Sequence, residues 1–302
     1  MRLCQLLVIE NFDIKNSTSF KIGGQIKKIF APDTIESFVE YLKAYPEAPV
    51  LGNLSNILIS SKGYDGVVIL TSQLNKIDFS ENKIVAGAGV RGPKLSQEAC
   101  KNGCSGFEFM IGFPGSVGGQ VFMNAGAHGQ TISNIVSKVK VYHPQKGIIT
   151  LTKDEMDFGY RTSVCQKENL VVLEAEFELH PKSKEEIQSK MDKNLEFRKS
   201  HQPSLALPNC GSVFKNPQGD SAGRLLDACG VKELNFGGVR VWENHANFII
   251  NDGNGTSTDV LNLMCEMKKR VKEKFDIDLK PEVRYLGNCE EEVELCKILF
   301  QE

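Results

Sequence analysis

The residue types best suited to chemistry are concentrated in four short polar segments. These are FGYRTS (158–163), GSVFKNP (211–217), VWENHANFIIN (241–251) and KPEVRYLG (280–287). Together they supply a hydroxyl, a guanidinium, an ammonium, an imidazole and a carboxylate, which proteins use to move protons and bind anions. Each also has a structural interpretation: Ser212 can be a turn residue and His245 a hydrogen-bonded core histidine. Glu282 and Arg284 lie on one side of an extended segment and can form an exposed ion pair, so residue types alone leave both interpretations open.

Two glycine-rich loops lie upstream of these segments. GNLSN (52–56) and GFPGSVGG (112–119) each follow an apolar stretch, and each carries a hydroxyl, on Ser55 or Ser116. Consecutive backbone N–H groups can form a concavity for phosphate, and glycine keeps side chains out of the approach. A tight turn that needs positive φ is the structural alternative. Two such loops, with NAGAHG (124–129) after the second, favour a dinucleotide lying across the chain.

A third glycine motif, GAGVRG (87–92), matches the G-x-G-x-x-G fingerprint of doubly wound dinucleotide-binding folds. It follows a strand-like segment and precedes a helix-like one. Glu108 lies about 20 residues further along the chain, where such folds have an acidic residue that binds ribose. However, no apolar strand leads into Glu108, and no alternating β–α–β units follow. We therefore predict no Rossmann-type site at this motif.

The hydrophobic pattern predicts the elements that must position these segments. An apolar stripe predicts a helix at 34–44, and strict alternation predicts antiparallel strands at 137–143 and 169–180. Further predictions are an edge strand at 1–13, strands at 49–60 (broken by a turn), 63–70 and 246–251, and helices at 184–200, 223–230 and 257–276. The last helix should begin with a cap at Ser257 or Thr258, and its KKRVKEK run (268–274) should face solvent.

Composition excludes several classes of protein. A net charge of −2 gives no strong field for nucleic acid or an anionic membrane, and no apolar run approaches the roughly 20 residues that span a bilayer. Nine scattered cysteines, an odd number, indicate the reduced thiols of the cytoplasm. Cys100 and Cys104 could share a helix face, but no second pair completes a zinc site. We therefore predict a cytoplasmic protein with no metal, nucleic-acid or membrane partner.

Seven motifs occur in a characteristic order along the chain. They are STSFKIGG (17–24), LGNLSN (51–56), GFPGSVGGQVFMNAGAHG (112–129), FGYRTS (158–163), CGSVFKNP (210–217), ENHANFIIN (243–251) and PEVRYLG (281–287). The ordered set resembles the UDP-N-acetylenolpyruvoylglucosamine reductase (MurB) family of flavoenzymes over roughly residues 15–288. The short spacing between YRTS and GSVFKNP is similar to the subtype that lacks an inserted tyrosine-bearing loop.

The resemblance implies an α+β fold with a two-part FAD-binding domain of vanillyl-alcohol-oxidase (PCMH) type and a C-terminal substrate-binding lobe. The expected division is 1–72 and 73–198 for the FAD-binding subdomains, 199–288 for the substrate lobe and 289–302 for a tail. It also implies non-covalent FAD, NADPH as hydride donor, and reduction of UDP-N-acetylglucosamine enolpyruvate to UDP-N-acetylmuramate for peptidoglycan. A monomer is expected.

The resemblance further assigns residues to roles. For FAD binding it implies Leu51, Gly52, Asn53, Leu54, Ser55, Asn56, Gly112, Pro114, Gly115, Ser116, Gly118, Gly119, Asn124, Gly126, Ala127, Arg198 and Arg284. For substrate binding it implies Tyr160, Lys215, Asn216 and His201. In the implied reaction flavin N5 delivers hydride to the enolpyruvyl methylene carbon and Ser212 protonates the adjacent carbon. Arg161 would hold the substrate carboxylate, and Glu282 would hydrogen-bond or polarise the same group.

The chain departs from the family pattern at several positions. Asn53 and Leu54 replace glycines of the first loop, and leucine does not adopt positive φ cheaply. His128 stands where tyrosine is usual and Trp242 where serine is common. His201 replaces a lysine, and an imidazole carries less positive charge at pH 7 than an ammonium group.

Two other functions remain open on the sequence. A different flavin oxidoreductase of this fold, such as an alcohol oxidase, would keep the glycine loops without requiring GSVFKNP and PEVR together. A non-catalytic flavin or nucleotide sensor would tolerate loss of the Ser212 hydroxyl.

Overall fold

The computed structural model describes residues 7–80, 83–204 and 206–300. Its α-helices are α1 (Ile35–Ala44), α2 (Gly92–Lys101), α3 (Val117–Phe122), α4 (Val164–Lys167), α5 (Lys184–His201), α6 (Ala222–Ala228), α7 (Ser257–Phe275) and α8 (Glu290–Phe300). Its strands are β1 (Leu7–Asp13), β2 (Gln25–Ala31), β3 (Val50–Leu51), β4 (Ile57–Ile59), β5 (Tyr64–Leu70), β6 (Ile77–Phe79), β7 (Lys83–Gly87), β8 (Cys104–Ser105), β9 (Gly126–Ala127), β10 (Gln130–Thr131), β11 (Val136–His143), β12 (Gly147–Thr152), β13 (Val171–Glu178), β14 (His180–Pro181), β15 (Asn235–Phe236), β16 (Val239–Val241), β17 (Ile249–Asn251) and β18 (Arg284–Leu286).

The chain forms two compact units, each assembled from separated segments. The first unit comprises the described residues up to Ile9, together with Ile29–Asn53 and Val67–Arg198. The second comprises Glu10–Lys28, Leu54–Gly66 and the described residues from Lys199 onward. One four-stranded sheet has the order β1-β2-β5-β3. The predicted edge strand is present as β1, and its first six residues lie outside the described chain. The four-part division predicted above stays a prediction.

The core of the first unit is an antiparallel sheet of order β12-β11-β13-β7-β6. Along β13, Leu173, Ala175 and Phe177 are fully buried, whereas the glutamates between them face lysines of the neighbouring strands. This confirms the predicted strand with one polar face. Every pair of neighbouring strands in the sheet is antiparallel, so the GAGVRG motif does not lie between adjacent parallel strands as it does in a doubly wound fold. Glu108 is buried and accepts from Ser105 Oγ at 2.6 Å and Gly106 N–H at 2.9 Å, so it braces a loop.

The second unit is organised around α7, whose apolar stripe from Val260 to Val271 is buried as predicted. The predicted cap at Ser257 or Thr258 is wrong, because the helix begins with Thr256 as its N-cap. Thr256 and Asp259 exchange two hydrogen bonds of 3.1 and 2.9 Å in a capping box. Both predicted hydroxyls instead donate to the buried carboxylate of Glu292 on α8.

Three further expectations need correction. The strand predicted at 246–251 is shortened to β17, because residues 242–248 form turns in which His245 N–H donates to Trp242 O. Cys104 lies beyond the end of α2, so it does not share a helix face with Cys100. Within the predicted solvated run, Lys268 is buried, pairs with Asp278 at 3.0 Å and donates to two carbonyls near the end of α8.

Candidate active site

The glycines of residues 112–129 mainly allow neighbouring groups to pack close to the backbone. Unusual turn geometry is a lesser reason for them. Of the six, Gly129 alone has a positive φ. A Cβ atom at Gly118 would lie 2.9 Å from Ala88 Cβ, and one at Gly112 would lie 3.2 Å from Arg198 Cδ. A side chain at either position would press against a neighbour. The segment therefore needs glycine because other parts of the first unit approach its backbone closely.

Buried polar atoms without partners mark the loop region of the first unit. Four buried side-chain atoms make no hydrogen bond among the described residues: Thr71 Oγ1, Ser96 Oγ, Ser116 Oγ and Gln120 Oε1. A buried hydroxyl without a partner is costly, so such atoms indicate a missing polar ligand or water. Ser116 Oγ lies beside Gly52, where a Cβ atom would collide with it. The residues present therefore fit the polar part of a dinucleotide such as FAD.

The two non-glycine residues of the first loop, Asn53 and Leu54, each have a defined local structure. The Asn53 side-chain amide donates to the carbonyl of Pro114, which joins this loop to the second one. Leu54, in the second unit, has a φ of 52° and is buried. Its carbonyl accepts from Ser19 N–H at 3.1 Å. The backbone at Leu54 thus keeps a left-handed conformation although the residue is not glycine.

Arg161 lies at the tip of a two-residue turn in the first unit. Gly159 and Thr162 close the turn by exchanging backbone hydrogen bonds, and Arg161 has a φ of 53°. The Asn124 side-chain amide donates to Gly159 O at 3.0 Å, and Gln166 Nε2 donates to Arg161 O at 3.1 Å. Asn124 was predicted to bind FAD, and in the structure its side chain secures the turn that carries Arg161.

In the second unit, Ser212 and Glu282 belong to one hydrogen-bonded backbone frame. Val213, next to Ser212, accepts from Glu282 N–H at 2.8 Å. Asn56 Nδ2 donates to Glu282 O at 3.1 Å, and Arg284 N–H donates to Asn56 O at 3.2 Å. These hydrogen bonds therefore connect the segments that carry the predicted proton donor, the predicted carboxylate and one predicted FAD-loop residue.

Asn247 clamps the segment that carries Ser212. Its side chain accepts from Phe214 N–H at 3.0 Å and donates to Phe214 O at 2.8 Å, and its own carbonyl accepts from Val213 N–H at 3.0 Å. Asn247 is buried. The sequence shows Asn247 in a polar motif but gives no sign of this partner, because the clamp joins residues 33 positions apart.

Comparison with known proteins places the chain in a family. Residues 202–286 match a family model described as "UDP-N-acetylenolpyruvoylglucosamine reductase, C-terminal domain", and residues 26–152 match one described as "FAD binding domain". The UDP-N-acetylenolpyruvoylglucosamine reductase of Limosilactobacillus reuteri is 42% identical over 91% of this chain and 93% of its own length. The chain belongs to the UDP-N-acetylenolpyruvoylglucosamine reductase family.

Other relatives give the same result. The reductase of Staphylococcus carnosus is 41% identical over 92% of this chain and 92% of its own length. The crystal structure of the reductase from Thermus caldophilus is 34% identical, with a TM-score of 0.78, and the match covers 94% of this chain and 99% of that one. These matches confirm the α+β fold with an FAD-binding domain.

Three residues that depart from the pattern expected for the reductase family, namely His128, Trp242 and His201, each have a defined environment in the structure. His128 has a φ of 54°, and its ring packs edge-on against Phe197 at 5.4 Å between centroids. Burial lowers the pKa of His128. Trp242 is buried in a small cluster with Phe248 and Ile250. His201 is exposed at the end of α5, with Nδ1 2.8 Å from Ser200 Oγ.

The remaining residues predicted from the reductase family lie in both units. Tyr160 is exposed, and the Arg161 guanidinium lies 5.3 Å from the centre of its ring. Asn216 Oδ1 accepts from Ala222 N–H at 3.0 Å, at the start of α6. Lys215 is fixed through its backbone N–H, which donates to Lys280 O at 2.9 Å. Their roles stay predictions.

Two titratable groups next to the Ser212 segment, the Cys210 thiol and the His245 imidazole, have structural roles. Burial, with a contribution from the charge of Glu282, raises the pKa of the Cys210 thiol to about 12. This thiol is protonated at neutral pH and is not a nucleophile. Burial also lowers the pKa of His245, whose Nδ1 accepts from Asn247 N–H at 3.2 Å. His245 thus supports the Asn247 clamp as a neutral hydrogen-bond acceptor.

Proposed function

We propose that this chain is an NADPH-dependent, FAD-containing reductase that converts UDP-N-acetylglucosamine enolpyruvate to UDP-N-acetylmuramate for peptidoglycan synthesis. The observation that carries the proposal is the Ser212–Glu282 backbone frame, in a chain 42% identical to a reductase of this name over nearly its whole length. The family shows that the chain is an FAD-dependent oxidoreductase.

The polar groups of the two glycine loops are proposed to hold FAD without a covalent bond. Ser116 offers a buried hydroxyl with no partner among the described residues, and the missing side chain at Gly52 lets this hydroxyl lie close to the first loop. When bound, FAD would supply the hydride-transfer chemistry between NADPH and the enolpyruvyl group. Arg198 and Arg284 are proposed to lie near the flavin, and burial lowers the pKa of the Arg198 guanidinium.

Ser212 is proposed to donate the proton that completes the reduction. A serine hydroxyl is a weak acid, so it needs accurate placement against a strongly basic carbon. The Asn247 clamp and the Glu282 backbone bond support this role, because they hold the backbone that directly follows Ser212. Arg161 is proposed to hold the substrate carboxylate as negative charge spreads onto it, and Glu282 to hydrogen-bond the same group.

The substrate is a small molecule, and Tyr160, Lys215, Asn216 and His201 are proposed to contact it. Among the described residues, no helix combines the length and the apolar character required to cross a bilayer. The cytoplasmic location, the monomeric state and the lack of nucleic-acid or membrane partners stay predictions.

Visible absorption during two anaerobic additions tests the function. We expect a yellow protein that bleaches with limiting NADPH and recovers its colour when UDP-N-acetylglucosamine enolpyruvate is added. Bleaching without recovery would keep the flavoenzyme and reject this substrate. A protein that stays colourless after reconstitution with FAD would reject the proposal.

Ser212→Ala tests the proton donor separately. Bleaching by NADPH should be unchanged, whereas recovery with the sugar should slow by roughly a thousandfold or more, because only the second step needs this proton. Ser189→Ala, at an exposed position of α5, is the matched control and should behave as wild type. Near-normal recovery in Ser212→Ala would remove Ser212 from the mechanism.

A further inference from the structure

The hydroxyl of Thr71 has no role in the function proposed above. Thr71 is 5% exposed, and its Oγ1 makes no hydrogen bond among the described residues. Its backbone groups are satisfied, since its N–H donates to Leu51 O at 3.0 Å and its carbonyl accepts from Leu74 N–H at 2.9 Å. A valine would fill the same space without burying an unpaired hydroxyl. The hydroxyl therefore calls for an explanation of its own.

The sheet topology places Thr71 beside the first glycine loop. Strands β3 and β5 pair in parallel, with Leu51 opposite Leu70. Gly52 and Thr71 are the residues that follow these two strands, so both lie at the carboxyl edge of the pair. Ligands of open sheets with parallel strands commonly bind at this edge.

Two unpaired hydroxyls lie close to Gly52. A Cβ atom built at Gly52 would collide with Ser116 Oγ and would lie 4.0 Å from Thr71 Oγ1. Both oxygens are buried, and neither has a partner among the described residues. An acceptor-rich ligand group placed there would satisfy both donors at once.

We propose that Thr71 and Ser116 form a hydroxyl pair that donates to the diphosphate of FAD at Gly52. The inference rests on FAD as the cofactor and adds Thr71 to the residues that bind it. A phosphate oxygen accepts hydrogen bonds and brings no donor that would compete with the two hydroxyls. Glycine at position 52 is required because a Cβ atom there would collide with Ser116 Oγ and displace this donor.

Thr71→Val separates a binding role from a structural one. FAD is removed from the full-length protein, and the Kd of added FAD is measured by flavin fluorescence. We expect the Kd to rise about tenfold, the effect of losing one hydrogen bond to a charged group. The thermal stability of the FAD-free protein should be unchanged or higher, because the hydroxyl has no partner there. Thr150→Val, at an exposed position of β12, is the matched control and should change neither quantity.

The ³¹P NMR spectrum of bound FAD identifies the group contacted. Thr71→Val should shift the diphosphate resonances relative to wild type, and Thr150→Val should not. An unchanged Kd for FAD in Thr71→Val, with or without lower stability of the FAD-free protein, would overturn this inference but not the proposed function. Failure of wild type to bind FAD would overturn the proposed function as well.

Discussion

Three residues predicted to act at the site have left-handed backbone although they are not glycine. They are Leu54, Asn124 and Arg161, with φ of 52°, 41° and 53°. Asparagine tolerates this region, but leucine and arginine do so at a cost of about 1 kcal/mol or more. Such conformations persist where surrounding contacts enforce them, and they are concentrated at functional sites. The strain at Arg161 is consistent with a turn shaped to present its side chain.

Paired substitutions at Leu54 test the strain directly. Leu54→Ala and Leu54→Gly both remove the buried side chain, but only glycine accommodates positive φ freely. We expect Leu54→Gly to be the more stable of the two by about 1 kcal/mol in urea unfolding. At Leu58, which is buried in β4 and has no positive φ, the same pair should show the opposite order. Greater stability of Leu54→Ala would show that the left-handed conformation is absent in solution.

Arg161→Lys tests the proposed carboxylate contact. Lysine keeps the charge but loses the planar fork that binds a carboxylate through two bonds. We expect the sugar-dependent recovery of flavin colour to slow by roughly a hundredfold, with bleaching by NADPH retained. Arg270→Lys, in an ion pair of α7 with Glu266, is the control and should leave both steps unchanged. Slowing of both steps would indicate a damaged first unit and not a lost substrate contact.

At the scale of elements, α8 is part of the second unit and not a loose appendage. Leu299 is fully buried, and Glu292 accepts from Thr258 Oγ1 at 2.9 Å and from Tyr285 OH at 2.6 Å. Tyr285 lies in β18, which pairs with β4 beside the Ser212–Glu282 frame. The C-terminal helix therefore holds the strand that follows Glu282.

Glu292→Gln should destabilise the protein in a pH-dependent way. Burial alone would raise the pKa of Glu292, but hydrogen bonds from Ser257, Ser60, Tyr285 and Thr258 lower it below its ordinary value. A lowered pKa means stabilisation that is present above the unfolded pKa, near 4.3, and is lost as the pH falls through the folded value. We expect a loss of about 2–3 kcal/mol at pH 7 that shrinks below about pH 4.

Urea unfolding at several pH values measures this effect. Glu294→Gln, an exposed residue of the same helix, is the control and should change stability by less than about 0.5 kcal/mol. A loss in Glu292→Gln that does not vary with pH would show that the charge of Glu292 is unimportant.

Helices and strands could be predicted from the sequence where one local hydrophobic pattern dominates. Structural details that depend on residues distant in the sequence could not be predicted. The stripe on α7 and the alternation on β13 identify both elements from the sequence alone. The cap of α7 was not predictable, because Thr256, Ser257 and Thr258 are locally equivalent and Glu292, far along the chain, binds two of the three. The site motifs could be identified by family resemblance. The Asn247 clamp and the unpaired Thr71 hydroxyl are visible only in the three-dimensional structure.

At the scale of the whole molecule, neither unit is a continuous stretch of chain. Phe20, Ile22 and Leu58 are almost fully buried in the core that α7 organises, although they lie far from it in sequence. Asn251 Nδ2 also donates to Phe20 O at 3.0 Å, and Ser61 N–H to Ser257 Oγ at 2.7 Å. The C-terminal part of the chain therefore depends on two early segments for its core.

A fragment of residues 199–302 should not fold cooperatively. Losing three buried apolar side chains costs on the order of 6 kcal/mol or more, which is comparable to the total stability of a domain. We expect the fragment to lack near-UV circular dichroism and a sharp thermal transition, both of which the full chain should show. A cooperative transition in the fragment would show that 199–302 is an autonomous domain.

The interleaved segments also set an order of events during translation. Phe20, Ile22 and Leu58 leave the ribosome early, but their partners begin only after Lys199. At translation rates of about 5–20 residues per second that delay is on the order of ten seconds. Until then the nascent chain exposes these apolar side chains, and we expect it to be a client of ribosome-associated chaperones.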